Sequence, residues 1–138
     1  MNVPFFREEI ASTFEAMAGT LDRAVAELLS QDIISREEAP CTRLCLEEAL
    51  VNAIRHGNKC DAHRRVFLEM TRNGESYVIR VGDEGAGFSP EQVELPDCEQ
   101  LGGRGICLIR HFMDQVRYNH REHCLEMKFR RKAVCKGD

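Results

Sequence analysis

The stretch RRVFLEMTRNGESYVIRVGD, residues 64–83, places two alternating or β-branched runs around the dipeptide Asn73-Gly74. Asn-Gly suits a type I′ turn, whose two central residues need positive φ, so this segment predicts a β-hairpin. Upstream, Ser12 with Glu15 three residues later reads as a capping box, and Phe14, Met17, Leu21, Val25, Leu28 and Leu29 follow at helical steps to Ser30. Ser35 and Pro40 mark a second start and Gly57 a stop, which predicts a helix over 38–56. A short strand over Val3 to Arg7 opens the chain. Downstream, GICLIRHFMDQV (105–116) resumes helical spacing, and VRYNHR (116–121) and HCLEMKFRR (123–131) read as a closing pair of strands. Strands that do not alternate strictly with helices predict an α+β, two-layer α/β sandwich rather than a doubly wound sheet.

Length and charge narrow the class. A chain of 138 residues predicts one domain, 1–138, with a single hydrophobic core. The net charge of -4 argues against direct nucleic-acid binding, which normally rests on a basic excess. The one basic run, Lys128 to Lys136, reads as a solvated strand edge. The chain shows neither a signal peptide nor an apolar run of the ~18 residues that a membrane span needs, which points to a cytoplasmic protein without a membrane partner. The seven cysteines form no CxxC pair. Cys41 and Cys45 share a helix face and Cys124 follows His123, yet structural zinc normally shows tighter ligand pairs, so the cysteines read as small apolar side chains in a reducing compartment.

Three segments concentrate polar chemistry. On the second helix Glu48, Asn52 and His56 fall at successive i, i+4 spacings and so share one stripe, while Leu46, Ala49, Leu50, Ala53 and Ile54 occupy the adjoining, core-facing arc. A carboxylate and an amide at that margin can reach a half-enclosed ligand, although a solvated helix edge has the same composition. Next, VGDEGAGF (81–88) ends a strand on an acid followed by Gly85 and Gly87. A carboxylate accepts from an exocyclic amine, and glycine allows approaches that a Cβ would block. Last, GGRGICLIR (102–110) leads glycines straight into a helix, whose free N–H groups and dipole favour an anion, with Arg104 as a planar phosphate donor. Neither GxxxxGK[ST] nor GxGxxG after a strand is present.

Taken together and in this order, EEALVNAIRHGN (47–58), VGDEGAGF and GGRGICLIRHFMD (102–114) resemble the nucleotide site of the GHKL ATPase superfamily, and more narrowly the bacterial anti-sigma-factor serine/threonine kinases. The resemblance covers residues 38–131 and implies a GHKL (Bergerat) fold, with a mixed sheet, helices packed on one face, and the nucleotide site within 45–110. It implies ATP and Mg as cofactors. By its ExxxN element Glu48 is the general base and Asn52 a ligand of Mg. By its DxGxG element Asp83 contacts the adenine amine, with Gly85 and Gly87 shaping the purine pocket. Gly103 and Gly105 then cradle the phosphates, Arg104 contacts them, and His56 ends the helical motif. The family phosphorylates a STAS-type anti-anti-sigma protein and sequesters a sigma factor, and it forms homodimers. Two other readings of the same residues are a simple ATPase and a non-catalytic, nucleotide-gated binding module. One departure concerns the nucleotide lid: between Glu84 and Gly103 it carries Glu91, Glu94, Asp97 and Glu99 but no Lys or Arg.

Overall fold

The computed structural model describes residues 3–85, 109 and 112–130. Their order is β1 (Pro4–Ala11), α1 (Phe14–Ser30), α2 (Ala39–Asn52), a π-helical turn (Ala53–Gly57), β2 (Arg65–Asn73), β3 (Ser76–Gly82), β4 (Gln115–Asn119) and β5 (Cys124–Arg130). The strands form one sheet in the order β1-β2-β3-β5-β4. The α+β sandwich expected from the sequence is the observed architecture. Its sheet differs from the mixed one expected, because all four pairings among the described residues are antiparallel.

The core lies between one sheet face and the two helices. Register aligns Leu68 and Met70 of β2 with Val81 and Ile79 of β3, and those with Leu125 and Met127 of β5, so period-2 alternation puts them on one face, with Val66 two residues before Leu68. Against it α1 buries Met17, Leu21, Ala24, Val25 and Leu28, and α2 buries Cys45, Leu46, Ala49 and Leu50. Full burial of each Leu or Ile in this cluster contributes on the order of 1.5–3 kcal/mol. Glu8 also faces the helices. It is held there by Arg23, through bonds of 2.7 and 2.8 Å, and by the Thr20 hydroxyl, and the Arg23 bond leads in keeping its pKa below the usual carboxylate value. No helix among the described residues is long and apolar enough to cross a membrane.

Several local readings shift by a residue or more. The cap of α1 is Thr13, whose Oγ1 accepts from Ala16 N at 3.2 Å, because Ser12 is drawn inward to 1% exposure. The hairpin turn is Gly74-Glu75, between the paired residues Asn73 and Ser76, and only Gly74 has positive φ (66°). That is the pattern of a type II′ turn with glycine first, not the I′ turn expected with Asn73 inside it. Before α2 the reciprocal bonds Ser35 N–H to Glu38 Oε1 (2.8 Å) and Glu38 N–H to Ser35 Oγ (3.1 Å) form the capping box there, with Pro40 in the first turn. β1 runs on to Ala11, beyond the expected Arg7, by pairing with β2 through Arg65. The expected third helix falls largely outside the described residues. Val116, read both as its end and as the first residue of the next strand, is in β4 and pairs with Met127 of β5.

Candidate functional site

Glu48 and Asn52 lie one turn apart near the C-terminal end of α2, as their spacing predicts. Glu48 is half-buried, whereas Asn52 is only 9% exposed, so the stripe runs into the molecule toward its C-terminal end. Among the described residues the Asn52 amide nitrogen has no hydrogen-bond partner. Buried amides are rarely left so, and one that is points to a ligand or ordered solvent as the missing partner.

His56 departs from the expected stripe. After Asn52 the helix widens into the π turn, closed by Asn58 N–H to Ala53 O at 2.8 Å, and His56 is exposed while Asn52 is buried. Single π turns recur at functional sites because one added residue re-aims the side chains beyond it. Here it brings Gly57 against the end of β3. A Cβ on Gly57 would collide with the Asp83 carboxylate, and one on Gly85 would collide with the Gly57 carbonyl. The helix end and the DxG corner therefore touch only because both positions are glycine.

Asp83 leaves the sheet where β3 pairing ends at Gly82, its N–H donating to His123 O at 3.2 Å. Its Oδ1 accepts from Gly85 N–H at 2.8 Å. Burial raises the carboxyl pKa, and the Gly85 bond and the charges of His123 and Arg64 offset part of that rise. A desolvated carboxylate with spare acceptor capacity is suited to receive an N–H donor from a ligand.

Of the residues read as functional, Glu48 and Asn52 lie on the last turns of α2, and Asp83 and Gly85 lie at the end of β3 against Gly57, which follows that helix. Gly87, Gly103, Arg104, Gly105 and the acidic lid lie outside the described residues. Among the described residues no three His, Cys, Asp or Glu side chains form a metal-binding group. Burial pushes the Cys45 thiol up to about 11, with Cys41 and Glu48 adding to it, so this cysteine stays protonated as an apolar side chain.

The histidine kinase-like ATPase domain profile matches residues 10–129, a span that includes the ExxxN and DxGxG elements. The chain belongs to that family. Family membership implies an ATP site. Among relatives, a serine/threonine-protein kinase, BtrW of Bordetella bronchiseptica, is 31% identical over 85 residues, covering 57% of this chain and 60% of that kinase. The anti-sigma F factor of Oceanobacillus iheyensis is 29% identical over 100 residues, covering 67% of this chain and 68% of that protein. That of Bacillus subtilis is 26% identical over 99 residues, covering 67% of each. The match thus spans less than two thirds of the kinase's length.

Sequence reasoning assigned no role to two residues that meet the Asp83–Glu84 corner. Gly57 was legible only as a helix stop and Asn58 only as the last residue of the motif EEALVNAIRHGN, because the partners that give them a role are distant in sequence.

Proposed function

We propose that the chain is an ATP-dependent serine/threonine protein kinase that acts as an anti-sigma factor, transferring the γ-phosphoryl group of ATP to a hydroxyl of a STAS-type anti-anti-sigma protein. The observation that carries this reading is the Asn52 amide, buried and unpartnered among the described residues, one turn after Glu48 and close in the chain to the glycine that seats Asp83. Names of two relatives, a serine/threonine-protein kinase and an anti-sigma F factor, support the activity and the sigma-factor partner.

In this mechanism Asp83 accepts from the adenine amine, with Gly85 and Gly87 leaving room for the purine. Asn52 suits a single protein ligand of Mg, which usually keeps phosphate oxygens and waters for its other positions, and the ion would neutralise phosphate charge. The amide oxygen would enter the metal's shell, and its nitrogen would donate to a phosphate oxygen. Gly103, Arg104 and Gly105 bind the remaining phosphate oxygens. Glu48 takes the proton of the attacking hydroxyl as its oxygen bonds to the γ-phosphorus. The bond from that phosphorus to the β–γ bridging oxygen breaks and ADP leaves. The protein works as a cytoplasmic homodimer in this reading.

The test is incubation with labelled ATP and Mg alongside each STAS-type protein of the source organism. Label on a serine or threonine of one of them is the expected result. Phosphate release that needs no acceptor would identify a simple ATPase. Nucleotide-dependent capture of a partner with neither transfer nor release would identify a non-catalytic binding module.

A further inference from the structure

Asn58 follows the π turn and is completely buried. Its Nδ2 donates to Arg65 O at 2.9 Å and to Ser12 Oγ at 3.2 Å, and its Oδ1 accepts from Glu84 N–H at 2.8 Å. Glu84 answers on its other side, its Oε1 accepting from Arg65 N–H at 2.7 Å. The three residues form a closed ring: Asn58 donates to Arg65, Arg65 to Glu84, and Glu84 to Asn58. The Asn58 backbone N–H is meanwhile bonded to Ala53 O, so one corner of the ring belongs to the helix that carries Glu48 and Asn52.

From this geometry we infer that Asn58 is the positioning residue of the purine end of the site, acting through the Glu84 amide to set where Asp83 stands relative to α2. Asp83 lies beyond the last sheet pair of β3, and among the described residues its side chain bonds only locally, to Gly85. The hydrogen bond from Glu84 N–H to Asn58 ties the next peptide unit to the helix side of the site. Gly57 and Gly85 let Asp83 approach the helix end, and the Asn58 ring fixes how far along it goes. Buried polar networks in which each member is satisfied specify one arrangement, because any displacement strands a buried donor or acceptor. The inference rests on the ATP-site reading, in which Asp83 recognises the adenine amine.

A bond that only stabilises the fold would, when lost, lower thermal stability and leave purine preference alone. A positioning bond changes the preference, because a displaced Asp83 neither accepts well from adenine nor repels the guanine carbonyl. Calorimetric titration with Mg-ATP and with Mg-GTP would compare the parent with Asn58→Ala, Glu84→Ala, Ser12→Ala and Asp83→Asn. Asn58→Ala is expected to lose about tenfold in ATP affinity, the scale of one hydrogen bond, and to narrow the ATP-over-GTP preference. Ser12→Ala, which cuts the network on its far side, is expected to melt earlier with the parent's preference. Glu84 is exposed, so Glu84→Ala keeps the fold and opens the ring, narrowing the preference in the same direction by a smaller factor. Parent-like preference in folded Asn58→Ala, or in Glu84→Ala should Asn58→Ala not fold, overturns the inference if Asp83→Asn is impaired. Unchanged binding by Asp83→Asn would overturn the Asp83 assignment, and this inference with it.

Discussion

Burial raises the pKa of Asp83, and the Gly85 N–H offsets only part of the rise. The sign follows from linkage: below the ordinary value of 3.8 the carboxyl is protonated in both states and costs nothing, whereas above the folded pKa the ionised form opposes folding. Asp83→Asn keeps an acceptor for Gly85 and removes the charge. The variant should therefore melt higher than the parent at pH 7, the two curves converging as pH falls below the carboxylate range, while calorimetry shows weaker ATP binding and poorer discrimination against GTP. Unfolding scans across pH check the first half, and a parent that matches or exceeds the variant at pH 7 would contradict the burial argument. Glu48 is tested separately. Glu48→Gln should bind Mg-ATP almost as the parent does and transfer phosphate at least ~10²-fold more slowly, the usual scale of general-base loss. Transfer at the parent's rate would remove Glu48 from the mechanism. The spacing of Glu48, Asn52 and Asp83 was readable because each sits in a short motif, but the burial that separates Asn52 from the exposed His56 was not, since it depends on what packs over the helix.

Between residues 52 and 58 a single element changes character, from α-helix to π turn, and the site depends on that change. Gly57 does not have positive φ, so its need for glycine is steric rather than conformational. At such a position alanine would ordinarily stabilise slightly by restricting the unfolded chain. Here its Cβ meets the Asp83 carboxylate, and Gly57→Ala should instead destabilise by about 1–3 kcal/mol, the range of overpacking, and lose ATP affinity in the same variant. Denaturant melts with an ATP titration of each protein would check both, and a stabilised, ATP-binding Gly57→Ala would show that the contact yields. Gly74 makes the contrast: nothing lies within 4 Å of a Cβ there, but its φ of 66° strains an L residue whatever the space. Element boundaries were legible to within a few residues wherever periodicity was long. The cap, the hairpin turn and the π turn moved because each turns on one residue's partner: Ser12 is claimed by Asn58, and Gly74 takes the first turn position.

Across the whole molecule the sheet face turned away from the helices carries a row of alternating charge in direct register: Arg7, Glu69, Arg80, Glu126 and Arg117, one from each strand. Adjacent members approach to 2.5, 3.2, 3.2 and 2.7 Å, and Arg80 also pairs with Glu122. The Glu69 side chain is 12% exposed, far less than the 65% of Arg117 at the edge. Glu69→Ala leaves two arginines facing each other across a half-closed gap and should cost about 2–3 kcal/mol, whereas Arg117→Ala should change stability little. Chemical denaturation of the two variants compares them directly, and equal losses would show that burial does not grade the row. Burial alone would raise the Glu126 pKa, but Arg117 and Asn119 bind its carboxylate and hold the value below 4.5. Glu126 therefore contributes stability that is complete above pH 4.5 and is lost as pH falls through its lower, folded value.

The sequence by itself determined the elements and the chemistry on offer. Periodicities of two and of three to four residues separate strand from helix wherever one face is buried, and motifs such as ExxxN and DxGxG keep their polar groups within a few residues, so both can be read locally. Tertiary structure alone decided which distant residues share a space. It set Gly57 against Asp83, 26 positions of chain apart from each other, drew Ser12 and Glu84 to Asn58, and aligned five charges from five strands. Those pairings follow from strand register and from how the sheet lies on α2, and neither is encoded in any short window of the chain.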